Sequence, residues 1–84
     1  MFPEDMQVLL RNKYYSEFQL TLTGATLNHT DFHLYAQHSK KNLTIDYVMS
    51  AETYDLLIFK CGHDELVFRN ISKEQLIELI NLHG

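Results

Sequence analysis

Residues 31–49, DFHLYAQHSKKNLTIDYVM, contain two runs in which apolar and polar side chains alternate on either side of a polar centre. A period of two is typical of a strand that buries one face. The faces of the first run are Phe32, Leu34 and Ala36 on one side and His33, Tyr35 and Gln37 on the other. The second run, Leu43 to Met49, alternates in the same way. This stretch therefore predicts two adjacent strands of a sheet.

A polar turn over Ser39–Asn42 joins these runs into a predicted hairpin. The predicted register places Ala36 opposite Ile45 and Leu34 opposite Tyr47. Both apolar sets then lie on the same side, so the hairpin has one face suited to a core.

The preceding segment predicts a helix and a third strand. Apolar residues at helical spacing indicate a helix from Glu4 to Tyr14, with Pro3 at its start. A third alternating run, Glu17 to Gly24, predicts a strand. A polar connection, Ala25 to Thr30, is expected to lead into the hairpin.

Two more strands are predicted after the hairpin. Ser50–Thr53 is expected to be a loop, with a short helix from Ser50 to Asp55 as the alternative. The run Tyr54–Lys60 is apolar and rich in branched and aromatic residues, and the tight turn at Gly62 leads to a strand from Glu65 to Arg69. The predicted register pairs Lys60 with Glu65, Phe59 with Leu66 and Leu57 with Phe68.

The last segment has the signals of a capped helix. Ser72 and Gln75 have the spacing of a capping box, Ile71 is placed to pack on Leu76, and Gly84 is a stop signal. The predicted fold class is α+β: an N-terminal helix, a five-stranded antiparallel meander and a C-terminal helix packed on one sheet face. The predicted core residues are Phe18, Leu20, Phe32, Leu34, Ile45, Tyr47, Leu57, Phe59, Leu66, Phe68, Leu76 and Ile80.

Length and charge limit the class of protein. Eighty-four residues predict a single domain, residues 1–84, with one small core. Seven basic and eleven acidic residues give a net charge of -4, which disfavours nucleic-acid binding and suits a basic protein partner. A core of this size favours a partner or a homodimer that adds contacts.

The expected location is the cytoplasm. Cys61 is the only cysteine, which suits a reducing compartment. The first six residues, MFPEDM, lack the basic start and apolar stretch of a signal peptide. The longest strongly apolar run, Leu56 to Phe59, is far shorter than the ~20 residues of a membrane span.

The candidate chemical groups do not form a recognisable catalytic or metal site. His29 and His33 lie about 13 Å apart on an extended strand at ~3.3 Å per residue, too far to share one metal ion. Cys61, His63 and Asp64 supply a thiol, an imidazole and a carboxylate, but at the tip of an exposed predicted hairpin. We therefore expect no catalytic residue, no cofactor and no metal ligand.

The second face of the predicted sheet is the candidate binding surface. Its apolar members are predicted to be Tyr35, Val48, Leu56, Ile58 and Val67, interleaved with His33, Gln37, Thr44, Asp46, Lys60 and Arg69. An apolar centre with a polar rim is the composition of a protein interface. The alternative is that the first helix covers this face and makes a three-layer domain. Of these residues, the predicted partner-binding set is Tyr35, Val48, Ile58, Val67, His33, Lys60 and Arg69.

The leading functional hypothesis is a non-enzymatic protein-binding module. Small size, acidity and absent catalytic motifs are features of immunity proteins, antitoxins and phage anti-defence inhibitors, which inhibit or modulate a larger protein. One alternative is a small enzyme or metal-dependent protein that uses His29, Asp31, His33, Cys61 or His63. Another is a structural homo-oligomer subunit.

Overall fold

The chain folds as a sheet flanked by two helices. In a computed structural model, residues 4–26 and 29–84 are described, with side chains for residues 6–22 and 31–84. The elements are α1 (Glu4–Asn12), β1 (Glu17–Thr26), β2 (His29–His38), β3 (Lys41–Val48), β4 (Thr53–Lys60), β5 (Leu66–Ile71) and α2 (Lys73–His83). Each strand pairs antiparallel with the next, in the order β1-β2-β3-β4-β5. The predicted fold class is confirmed.

Both helices pack on the same face of the sheet. The buried apolar cluster consists of Met6, Leu10, Tyr15, Phe32, Leu34, Ala36, Leu43, Ile45, Tyr54, Leu56, Ile58, Ile71, Leu76 and Ile80. Its strand members occupy alternate positions that share one face. Because α1 contributes Met6 and Leu10 and α2 contributes Leu76 and Ile80, the two helices cover that face together. The fold therefore has two layers, and no helix of the described residues covers the opposite face.

The core prediction is correct for most positions and wrong for three. Five predicted residues are buried and four more pack against the cluster at its border: Phe32, Leu34, Ile45, Leu76 and Ile80, then Phe18, Tyr47, Leu66 and Phe68. Leu20 and Phe59 are instead more than 40% exposed, at 43% and 42%. Leu57 is only partly buried and lies on the opposite face.

Helix α2 begins and ends where the sequence predicts. The backbone N–H of Gln75 donates to the Ser72 hydroxyl at 3.2 Å, and the backbone N–H of Ser72 donates to the Gln75 side chain at 3.0 Å. Gly84 is the C-cap, and its N–H donates to the Ile80 carbonyl at 2.8 Å. This reciprocal capping satisfies backbone groups that a helix end leaves unpaired. Neither α1 nor α2, the helices of the described residues, has the length and apolar character needed to cross a bilayer.

Helix α1 ends two residues earlier than predicted. Tyr14 has φ +71°, a left-handed conformation that stops the helix, and its side chain is exposed. The buried aromatic residue is Tyr15, whose ring lies under the Lys41 ammonium at 4.7 Å. Because Tyr14 leaves the helix, the apolar stripe of α1 does not include it.

Replacing Tyr15 with phenylalanine is expected to stabilise the fold. The Tyr15 hydroxyl is buried and has no hydrogen-bond partner among the described residues. An unpaired buried hydroxyl costs on the order of 1 kcal/mol, so Tyr15→Phe should raise the free energy of unfolding by about that amount. Urea unfolding at neutral pH measures it. Tyr14→Phe, at an exposed position, is the matched control and should leave stability unchanged.

The same variant should alter the response to alkali. Burial raises the pKa of Tyr15 from 10.0 to about 12. The unfolded chain ionises this phenol at lower pH than the folded chain does. Ionisation therefore has no effect on stability below pH 10, and it progressively destabilises the fold as the pH rises through about 12. Tyr15→Phe should therefore lose less stability across this range than the parent chain. An equal loss in both proteins would contradict this account.

The predicted connection between β1 and β2 is mostly strand. Strand β1 continues to Thr26 and β2 begins at His29, with Ala25 opposite Thr30. Threonine favours a pleated backbone, so the polar composition did not indicate a loop here. Residues 27 and 28, the remainder of the predicted connection, and Pro3 lie outside the described residues.

The β2–β3 hairpin has a tighter turn than predicted. Only Ser39 and Lys40 form the turn, and His38 pairs with Lys41. The register consequently differs by two residues, with Leu34 opposite Ile45. A shift of two keeps every side chain on its predicted face, so the core positions remain correct. Residues 49–52 form a turn, as expected in preference to a helix.

The β4–β5 register differs from the prediction by one residue, and this difference exchanges the core face and the opposite face of β4. Leu57 lies opposite Val67 and Leu56 opposite Phe68, because β5 pairing begins with Ile58 and Leu66. A shift of one exchanges the two faces of a strand. Leu56 and Ile58 consequently join the core, and Leu57 turns to the opposite side.

Candidate functional site

The face of the sheet opposite the helices is the candidate site, and we name it the open face. Strand alternation and register assign it the residues Glu17, Gln19, Thr21, Asp31, His33, Tyr35, Gln37, Asn42, Thr44, Asp46, Val48, Asp55, Leu57, Phe59, Val67 and Arg69. Most of these side chains are partly or fully exposed. The sheet thus presents five strands without a covering layer among the described residues.

The open face has an apolar centre. Register places Tyr35, Thr44, Leu57 and Val67 in one row across β2 to β5. Phe59, at 42% exposed, lies two residues along β4 from Leu57 and belongs to the same face. Cross-strand neighbours on one face are about 5 Å apart, so the row forms one continuous surface.

Five of the predicted partner-binding residues lie on the open face, and two do not. Tyr35, Val48, Val67, His33 and Arg69 are placed there. The expected position of Ile58 is wrong, because this side chain is 1% exposed in the core. Leu56 and Lys60 are each two residues from Ile58 on β4, so their side chains lie on the same helix-covered side as Ile58. The cause is the one-residue register difference between β4 and β5.

Sequence reasoning missed Leu57 and Phe59 as members of the open face. Residues 56–59 are all apolar, so their alternation cannot say which pair is buried. Asp55 was the available signal, since a carboxylate in the middle of a strand belongs on the solvent side. Asp55, Leu57 and Phe59 are alternate residues of one strand and lie on the same face. The charge of Asp55 therefore indicates that Leu57 and Phe59 also face away from the core.

Hydrogen bonds hold the acidic side chains of the open face. The Asp46 carboxylate lies 2.6 Å from His33 Nδ1 on the neighbouring strand. Asp31 Oδ1 accepts from the Met49 N–H at 3.0 Å. Asp55 Oδ1 accepts from the N–H of Asn70 at 2.9 Å. These contacts restrain the carboxylates before any ligand arrives.

The open face carries more acidic than basic side chains. The open face carries four carboxylates, Glu17, Asp31, Asp46 and Asp55, and a single guanidinium, Arg69. Lysines gather instead at the end of α2, where Lys13 Nζ donates to the Asn81 carbonyl at 2.7 Å and Lys41 Nζ to the Gly84 main-chain oxygen at 2.8 Å. Burial, with further contributions from Lys60 and Lys13, lowers the pKa of Lys41.

Lysines at this position have a structural role. The C-terminal end of a helix carries partial negative charge and unpaired carbonyls, and ammonium groups stabilise both. Two of the seven basic side chains, Lys13 and Lys41, are thus engaged at the end of α2 and do not neutralise the open face.

The predicted histidine and cysteine groups remain dispersed. The backbone of His29 and His33 belongs to one strand, β2, and the His29 side chain lies outside the described residues. Among the described side chains, no three of the types His, Cys, Asp and Glu are grouped closely enough to hold a metal ion.

The β4–β5 connection borders a cavity of about 360 Å³ at the end of α2. Its lining residues are Ile58, Lys60, His63, Asp64, Leu66, Leu82 and His83. Cys61 is exposed and is not among them, so thiol and imidazole do not meet in this cavity. Of the three side chains Cys61, His63 and Asp64, only the last two line the cavity.

No family model, curated protein or solved structure matches this chain.

Proposed function

We propose that this protein is a non-enzymatic binding module whose open face contacts a larger protein and inhibits or modulates it. The observation that carries the proposal is the placement of both helices on one face of the sheet. It leaves the open face uncovered among the described residues, with Tyr35, Leu57 and Val67 at its centre. Exposed apolar patches of this kind mark interaction sites on small soluble domains.

The apolar row supplies the anchor of the proposed interface. Tyrosine is among the residue types that contribute most to binding, because it buries a large rigid surface with a polar tip. Tyr35 is flanked on β3 and β4 by Thr44 and Leu57, so a partner side chain meets apolar surface on more than one strand. The surrounding carboxylates form a polar rim.

The charge of the open face defines the kind of partner. Four carboxylates against one guanidinium favour a basic protein surface with an apolar centre. Complementary charge accelerates association and orients the encounter, and salt weakens both effects. Immunity proteins, antitoxins and phage anti-defence inhibitors provide analogies of size and acidity, and they define the class of modulator that we propose.

Substitution of Tyr35 tests the proposal on a partner captured from native lysate and then purified. Loss of a central aromatic anchor costs about 2 kcal/mol, so Tyr35→Ala should raise the Kd about 30-fold in calorimetric titration. Leu57→Asp should weaken binding further. Val8→Ala is the matched control, since Val8 is an exposed apolar residue on α1, away from the open face.

Two results would contradict the proposed function. One is a partner whose affinity is unchanged by both Tyr35→Ala and Leu57→Asp. The other is an equal loss of affinity in Val8→Ala, which would place the contact on the helix side. Thermal melts of each variant confirm that the fold is retained.

A further inference from the structure

Strand β1 forms one of the two edges of the sheet. It pairs only with β2 in the strand order of the described residues. An edge strand presents a row of unpaired backbone N–H and C=O groups along its outer side, and such a row pairs readily with another strand. Ten residues, Glu17–Thr26, make β1 as long as its neighbour β2.

The other edge, β5, is protected against such pairing. It is six residues long and carries Arg69 near its end. Two residues of β5, Arg69 and Asn70, face the single residue Asp55, and Asn70 has φ +55°, so a bulge interrupts the strand. Charge, short length and bulges are the devices that keep sheet edges from associating.

Strand β1 has little of this protection. Residues 18–28 contain no ionisable side chain, and no other stretch of the chain without one is as long. Its regular pairing with β2 runs from Glu17 to Leu22 and is interrupted between Leu22 and Gly24. No further strand of the described residues occupies this uncharged, regular edge, so it can pair with a second strand.

Two leucines of β1 remain exposed on the helix side of the sheet. Leu20 and Leu22 lie opposite the buried residues Leu34 and Phe32, yet they are 43% and 55% exposed. The helix layer reaches only the start of β1, where the Arg11 guanidinium lies 5.4 Å from the Phe18 ring. Core-side apolar surface therefore continues past the helices to the edge of the sheet.

We propose that two copies of this chain pair antiparallel through β1 and form one continuous ten-stranded sheet. Leu20 is the middle of the regular uncharged segment Phe18–Leu22, and a two-fold axis there places Leu20 opposite Leu20 of the second copy. Phe18 of each copy then lies opposite Leu22 of the other, and Gln19 opposite Thr21. The segment is thus complementary to itself, as an interface between identical copies requires.

Charge opposes the association of two copies least at this edge. Each chain has a net charge of -4, and the pairing brings the two together along the segment that carries no charge. No like charges lie opposite each other in the register Phe18–Leu22. The two β5 edges become the outer edges of the assembly, so the association closes at two copies. This interface uses a different surface from the open face, and the two proposals are independent.

Leu20→Lys tests the pairing. It places two ammonium groups opposite each other at the two-fold axis, where their like charges oppose the pairing. Sedimentation equilibrium should show a dimer for the parent chain and a dimer Kd raised about 100-fold or more for Leu20→Lys. Val67→Lys on β5 is the matched control, because Val67 is 44% exposed on an edge strand and should leave the dimer intact.

A cross-linking measurement identifies the register. In a Cys61→Ser background, Leu20→Cys should form a disulfide between copies on mild oxidation, since residues directly opposite on antiparallel strands have Cβ atoms within about 5.5 Å. Val67→Cys in the same background should not. Thermal melts show that each variant retains its fold.

Three outcomes would overturn the proposal. The parent chain could sediment as a monomer at its highest soluble concentration. Leu20→Lys could leave a dimer as intact as Val67→Lys does. Leu20→Cys could fail to cross-link in a preparation that remains dimeric. Each of these results leaves the partner titrations with Tyr35→Ala unaffected, so the two proposals fail separately.

Discussion

Ile58→Asp is expected to abolish cooperative unfolding. Ile58 is 1% exposed and lies opposite Leu43 on β3 and Leu66 on β5. The substitution removes a buried branched side chain and places a carboxylate in the core, which together cost about 4 kcal/mol or more. A domain of this size has a net stability of only about 3 to 5 kcal/mol. Urea titration followed by circular dichroism should show no folded baseline.

Phe59→Asp is the matched control, since it makes the same kind of change one residue along β4. Phe59 lies on the open face with 42% exposure, and Asp55, four residues earlier on the same face of β4, is already a carboxylate. The variant should keep a cooperative transition with a loss of about 1 kcal/mol. If Phe59→Asp unfolds the chain and Ile58→Asp does not, the faces of β4 are assigned the wrong way round.

Removal of α2 by truncation after Asn70 is also expected to abolish cooperative thermal unfolding. The helix contributes Leu76 and Ile80, both fully buried, and packs on β4. Loss of each such side chain alone costs about 2 to 5 kcal/mol, so the deletion exceeds the expected stability of the whole domain. Scanning calorimetry or a thermal melt by circular dichroism measures the outcome.

Ser72→Ala tests the capping of the same helix without removing it. The lost hydrogen bond from the Gln75 backbone N–H should lower the free energy of unfolding by about 0.5 to 2 kcal/mol, and the transition should stay cooperative. A truncated chain that melts sharply near the parent temperature would contradict the role assigned to α2.

Local sequence signals predicted correctly those features that depend on interactions between residues close in the chain. The Ser72 and Gln75 side chains bond to backbone groups three residues away, so four residues of sequence specify the start of α2. The β2–β3 hairpin was predicted with the correct faces although its register differed by two, because alternation specifies the face of each residue. The same alternation placed Tyr35 and His33 correctly on the open face.

Local signals failed where neighbouring residues are chemically alike. In residues 56–59 every side chain is apolar, and the choice between Leu57 and Ile58 for the core depends on pairing with β3 and β5. Leu20 has the alternation of a core residue, yet the helix layer stops short of it. The exposure of Leu20 depends on where the helices pack on the sheet, and the periodicity of the sequence does not predict that position.

The sequence by itself determined the order and type of the elements, the capped C-terminal helix and the polarity of each alternating strand, because these depend on neighbours within a few residues. Only the tertiary structure decided that both helices cover one face, that Leu57 and Phe59 replace Ile58 on the open face, and that β1 has an apolar margin beyond the helices. These features depend on contacts between residues far apart in the chain, where a one-residue difference in register exchanges core for surface.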